Sequence, residues 1–206
     1  MPRREHWMTG AILLASACIS AGARADAWAD CQSTMDMSRI VSGCSKFLSS
    51  TPANDPNRWA AYVNRCGAFI RLGKFANAVE DCTVAIELNP SYSNAHFNRG
   101  FAYRRLNKLP QAIQDYSRAI ELKKDDHVAY SDRGIAYAMS GQLEQALKDF
   151  NAAIALRPDY VNGYNNRGRV QEMAGNLKAA EADYRKALEM APNFKPAQDN
   201  LRRLTQ

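Results

Sequence analysis

The sequence predicts an all-α solenoid of helix-turn-helix repeats, and three observations carry that prediction. Segments beginning at Trp59, Ser93, His127 and Val161 align at a constant spacing of 34 residues without gaps. Within each unit, large apolar residues recur at helical spacing in two blocks. Between the blocks stands Gly73, Asn107, Gly141 or Gly175, the residue types that end a helix in a left-handed conformation. One helical hairpin cannot bury its own apolar face, whereas stacked neighbours can.

The chain has 206 residues and a formal net charge of +6. Without the charges of the first 25 residues (Arg3, Arg4, Glu5 and Arg24) the net is +4. The remaining basic residues are spread along the chain and not gathered in one run, so nucleic acid is not an expected partner.

Residues 1–25 have the three regions of a secretory signal peptide. Arg3 and Arg4 form a positive start, Thr9 to Ala23 an apolar stretch, and Ala23-Arg24-Ala25 a small-x-small cleavage site. The apolar stretch is short and rich in Ala, Ser and Gly for a bilayer span. The alternatives are an uncleaved anchor and a lipoprotein signal ending at Cys18, whose preceding Leu14 is one residue too far away. The expectation is an exported chain, periplasmic or secreted, beginning at Asp26 and without a stable membrane anchor.

Residues 26–58 read as an N-terminal half-repeat. Ile40, Val41, Cys44, Phe47 and Leu48 give an apolar stripe to a lone second helix over Met37 to Ser50, and residues 51–58 form a linker. The four full units cover 59–92, 93–126, 127–160 and 161–194. Pro110 suits the first turn of a helix, and Pro90, Pro158 and Pro192 close second helices. Residues 195–206 start another first helix, whose Leu201 and Leu204 can cover the last unit as a cap.

Positions within a unit can be numbered as columns. Column eight reads Cys66, Gly100, Gly134, Gly168; column twenty is always Ala, as is column twenty-seven. Such small residues mark close approach of helix backbones, and aromatics at columns four, eleven and twenty-four fill the remaining space. With this period and these columns, the chain resembles the tetratricopeptide repeat family, closely over 59–194 and loosely in the flanks. The resemblance implies a right-handed superhelix with the first helices lining its concave face.

Four cysteines follow the expected signal, an even number that suits disulfides in an exported chain. Three pairings are possible, and the repeat geometry favours Cys31–Cys44 and Cys66–Cys82. Columns eight and twenty-four are equidistant from the turn at column sixteen, which sets Cys66 opposite Cys82 in an antiparallel hairpin. The alternative is two small core residues that never pair. If Pro52 takes column thirty-two, Cys44 falls in column twenty-four as well. Its bond to Cys31 would tie the preceding segment over the poorly covered lone helix.

Column seven is Arg65, Arg99, Arg133, Arg167, and column twenty-three is Asp81, Asp115, Asp149, Asp183. Opposite charges in register four times read as Arg–Asp pairs joining the helices of one repeat or one repeat to the next. The functional alternative is an arginine ribbon for an acidic ligand.

Partner-binding residues follow from the resemblance, which places columns two, five, six, nine, twelve and thirteen on the concave face. Column six reads Asn64, Asn98, Asp132, Asn166. An amide can donate to a peptide carbonyl and accept from a peptide N–H, so the row suits an extended chain held by its backbone. Asp132 interrupts it, and interior packing is the alternative role. Further groove candidates are Asn94, Phe97, Phe101, Arg104 and Arg105 in the second unit, and Asn162, Asn165 and Arg169 in the fourth. Contact with a neighbouring repeat is the alternative for the two phenylalanines. The family's carboxylate clamp needs basic residues where this chain has Val128 and Asp132, so that ligand pattern is absent.

No nucleophile-and-base set, phosphate loop, dinucleotide fingerprint or metal-ligand spacing occurs, so neither catalysis nor a cofactor or metal is expected. His96 lies in a packing column and His127 starts a helix. The expected function is a non-enzymatic scaffold of the bacterial envelope that binds a protein or extended peptide. A structural envelope component contacting wall or membrane through its convex face is the alternative. The sequence leaves oligomeric state open.

Overall fold

A computed structural model describes residues 20–33 and 36–206. The expected signal lies almost wholly outside the described residues. Among the described residues there are eleven helices and no strand: α1 Ala21–Cys31, α2 Met37–Ser50, α3 Arg58–Arg71, α4 Phe75–Leu88, α5 Ser93–Arg105, α6 Leu109–Leu122, α7 His127–Met139, α8 Leu143–Leu156, α9 Val161–Met173, α10 Leu177–Met190 and α11 Lys195–Leu204. Each helix packs on the next in sequence, and successive first helices α3, α5, α7 and α9 also touch. This is an all-α solenoid.

The turn within each repeat is built the same way four times. Gly73, Asn107, Gly141 and Gly175 take positive φ, from 57° to 79°. The following N–H then reaches back five residues, as in Lys74 N to Phe69 O (2.8 Å) and Gln142 N to Tyr137 O (2.9 Å). Such bonds satisfy carbonyls that the helix end leaves bare.

The second helices end in register whether or not proline follows. Leu88, Leu122, Leu156 and Met190 close them, although α6 is followed by Lys124 where its counterparts have proline. The boundary therefore does not depend on proline.

The core is a chain of small clusters, one per junction. Ala61, Ala78, Ala85, Ala112, Ala146 and Ala180 are fully buried at helix crossings, with Tyr116, Phe150 and Tyr184 filling the space between. Each glycine of column eight faces the aromatic of column twenty-four. A Cβ at Gly134 would sit 3.1 Å from the Phe150 ring, and one at Gly168 only 2.7 Å from Tyr184. In the first repeat Cys66 and Cys82 hold the same two columns, with their sulfurs at bonding distance, 2.10 Å.

The N-terminal region departs from the half-repeat reading. The segment before α2 is itself a helix, so α1 and α2 form a complete hairpin. Ala27 and Cys31 are buried against Ile40, Cys44, Phe47 and Leu48, and the Trp28 ring lies 4.7 Å from Phe47. The Cys31 and Cys44 sulfurs are also at bonding distance, 2.01 Å, with Cα atoms 4.4 Å apart. Gly43 permits that approach: a Cβ there would fall 2.7 Å from the Cys31 backbone nitrogen. The sequence hid this helix because α1 begins inside the Ala-rich stretch that also reads as the end of a signal.

The linker of residues 51–57 is held by Arg58. Its guanidinium donates to the carbonyls of Leu48 (2.7 Å) and Thr51 (3.2 Å), a cation at the C-terminal end of α2. At the other end, α11 covers α9 and α10, with Ala197 buried and Leu201 and Leu204 half-buried.

Candidate partner-binding groove

The Arg–Asp pairs are forks. Arg65, Arg99, Arg133 and Arg167 each donate Nε and Nη2 to both oxygens of their own aspartate, at 2.6 to 2.8 Å. Their third arm reaches the preceding repeat. Nη1 donates to Ser45 (2.8 Å), Thr83 (3.2 Å), Ser117 (3.0 Å) and Asn151 (2.7 Å) respectively. Both joints that the sequence left open are therefore made by one guanidinium. The polar row Ser45, Thr83, Ser117, Asn151 was missed by sequence reasoning, although it recurs in column twenty-five.

With those arginines engaged, the concavities along α3, α5, α7 and α9 are lined by other residues. Asn64 and Asn98 line one concavity of about 500 Å³, together with Val63, Gly67 and Arg71. Asn98 continues into a second of about 500 Å³, shared with Asn94, Phe97, Val128 and the Asp125–His127 loop. Asn166 and Arg169 border a third, of about 130 Å³, walled by Ile135, Phe150 and Val170. The first helices thus present a run of concavities with an amide in each.

Other predicted residues are placed differently. Phe97 and Phe101 are half-buried against Ala112, Tyr116 and Ala136, so they fill space between repeats more than they project. Arg104 is not free: it donates to Asp132 (3.2 Å) and the Tyr116 hydroxyl (3.3 Å) and lies 5.0 Å from the Phe101 ring. Asn165 is buried, its carbonyl accepting from Asn200 of α11 (2.9 Å). Glu172 accepts from Arg203 of the same helix and from the Tyr184 hydroxyl (2.9 Å). Asn94, Arg105, Asn162 and Arg169 stay exposed. His96 is buried, its Nε2 3.0 Å from the Pro90 carbonyl.

Asp132, which interrupts the amide row, is an internal ion-pair member. Burial pushes its carboxyl above the usual carboxylate range, opposed by Arg104 and reinforced by Asp126. A carboxyl raised on folding binds protons more readily in the native state than in the unfolded one. Its contribution therefore improves as pH falls through the folded value and worsens as pH rises. Asp132→Asn is expected to remove that inflection. Urea unfolding of both proteins across mildly acidic pH measures it; parallel stability curves would sink the assignment.

An all-helical stack of helix-turn-helix repeats defines the class: a protein-interaction scaffold. The Tetratricopeptide repeat model matches residues 93–126 and 161–194, and the related TPR repeat model matches 138–175. The chain therefore carries tetratricopeptide repeats over these residues.

Solved structures agree on the fold. A tetratricopeptide repeat protein from Parabacteroides merdae is 19% identical, with TM-score 0.77 over 89% of this chain and 71% of that one. YrrB, described as having an unusual peptide-binding site, is 21% identical, with TM-score 0.68 over 79% and 82%. The first such domain of Spaghetti, bound to an HSP90 peptide SRMEEVD, is 28% identical, with TM-score 0.54 over 55% and 90%. No curated protein sequence matches the chain.

Proposed function

We propose that the chain is a non-enzymatic scaffold that holds a protein segment, in extended form, against the first helices of its four repeats. The observation that carries this reading is the amide row Asn64, Asn98 and Asn166, each bordering a concavity on the same set of helices. The peptide-binding site named for YrrB and the peptide complex named for Spaghetti add precedent within the fold. The repeats are 59–92, 93–126, 127–160 and 161–194, flanked by the α1–α2 hairpin and the cap of residues 195–206.

The place of action in this reading is the bacterial periplasm or envelope. Two cysteine pairs at bonding distance suit an oxidising compartment. The buried residues of α1 begin at Ala27, after the expected cleavage point, and residues 20–25 are exposed or half-buried, so cleavage there leaves the buried side of α1 in place. No described helix is long and apolar enough to cross a membrane.

The test is a crosslinking pull-down from envelope extract using the chain from Asp26, beside an Asn98→Ala, Asn166→Ala variant of unchanged helicity. The variant is expected to lose a partner that the parent captures. Equal capture by both would move the site to the convex face, where the structural-component reading places it.

A further inference from the structure

The first helices carry two acidic side chains, Asp132 and Glu172, and both are occupied, by Arg104 and by Arg203 with Tyr184. Their nine arginines divide differently. Four hold the repeat aspartates, Arg58 holds the linker and Arg104 holds Asp132. That leaves Arg71, Arg105 and Arg169, all exposed and without an ion pair among the described residues. Arg105 is pre-positioned, its guanidinium carbon 4.6 Å from the centre of the Phe75 ring. Glu172 feels the charge of Arg169, but its hydrogen bonds go to Arg203 and Tyr184, so these helices present an excess of positive charge.

The same face has one apolar end. The 130 Å³ cleft between α7 and α9 is walled by Ile135, Phe150 and Val170, and its mouth is flanked by Met139 and Met173, 52% and 57% exposed. Its volume is in the range of apolar cavities that admit a single ring. Methionine lips adapt to varied occupants. Asn166 and Arg169 stand at its edge.

Resting on the groove reading above, we infer that the partner segment is acidic and anchored by one large apolar side chain. That side chain fills the α7–α9 cleft, a neighbouring carboxylate pairs with Arg169, and further carboxylates meet Arg105 and Arg71 towards α3. Packed helices stand ~8–10 Å apart, and an extended chain advances ~3.3 Å per residue, so Arg105, one and a half helix spacings from the cleft, is about four residues from the anchor. Leu, Met or Phe followed at that range by Asp or Glu is the pattern that fits. A nucleic acid would not use the apolar cleft, and a basic segment would meet three unpaired cations.

The test is selection of a displayed random-peptide library on the purified chain, with enriched peptides synthesised and titrated by fluorescence anisotropy. Enriched peptides are expected to combine Asp or Glu with one large apolar residue. Arg105→Glu, Arg169→Glu and Met173→Lys should each weaken them by about tenfold, a loss of the size that truncated arginine anchors show. Arg105→Glu should in turn favour a peptide whose matching acid is replaced by Lys.

Enrichment of neutral or basic peptides, or no enrichment, overturns the inference. Peptides weakened by Asn98→Ala, Asn166→Ala but indifferent to the arginine reversals also overturn it, while the groove reading survives. Peptides indifferent to both sets of variants remove both.

Discussion

Asp149→Ala is expected to destabilise the chain by about 3–5 kcal/mol, the cost of breaking a buried pair by removing one partner. Asp149 is 5% exposed and accepts two bonds from Arg133, at 2.7 and 2.8 Å. Alanine leaves a guanidinium, itself largely buried, beside the Tyr130 and Tyr137 rings, with Ser117 as its remaining hydrogen-bond acceptor among the described residues. The charge cannot be relieved by losing its proton, because arginine stays protonated in proteins. Ser117→Ala removes one neutral acceptor, and about 1 kcal/mol is expected for it. Replacing both partners with apolar residues, as in Arg133→Met, Asp149→Leu, should recover most of the loss, since the intact pair gains little over well-packed hydrophobes. Urea unfolding of the three variants measures the series. A loss under about 1 kcal/mol for Asp149→Ala would mean that water reaches the pair. Because Arg133 joins α7 to both α8 and α6, amide exchange should accelerate in the second repeat as well as the third.

Cys66→Ala, Cys82→Ala should cost about 3 kcal/mol, and Cys66→Gly, Cys82→Tyr should recover a substantial part of it. The first figure is the loop-closure effect of a cross-link across 16 residues. The second expectation comes from the other repeats. There the same two columns hold glycine against Tyr116, Phe150 or Tyr184, and these rings are fully buried. The first repeat uses two medium side chains and a covalent bond where its neighbours use one very small and one very large. Two alanines leave a void, with its cavity cost, whereas glycine and tyrosine refill it. Thermal unfolding with and without reductant decides it. Parent and variants all keep the Cys31–Cys44 pair, so reductant should lower the midpoint more in the parent than in either variant. A double-alanine variant as stable as the glycine–tyrosine one would mean that the void collapses without a ring to fill it.

The sequence carried the architecture because a repeat prints each packing rule several times. Constant spacing, the Gly or Asn that takes positive φ at the turn, and the alanine columns at close helix crossings each reflect a local backbone requirement that few residue types meet. The facing of columns eight and twenty-four followed from hairpin symmetry alone. Column-seven arginine and column-twenty-three aspartate could be paired for the same reason.

The exceptions to the repeat were not legible in this way. The helix α1 has no copy elsewhere, and its alanines serve export and helix equally well. Phe97 and Arg104 sit in groove columns, but their contacts depend on Tyr116 and Asp132, which reach them from another helix. Asn165 loses its exposure to Asn200, 35 residues on. The fold, its register and its inter-helix pairs could be read from the chain alone, because they follow from a local period and recur. Which arginines stay unpaired, and where the apolar cleft opens, emerged only once the helices were stacked, because each depends on which side chains from separate helices already satisfy one another.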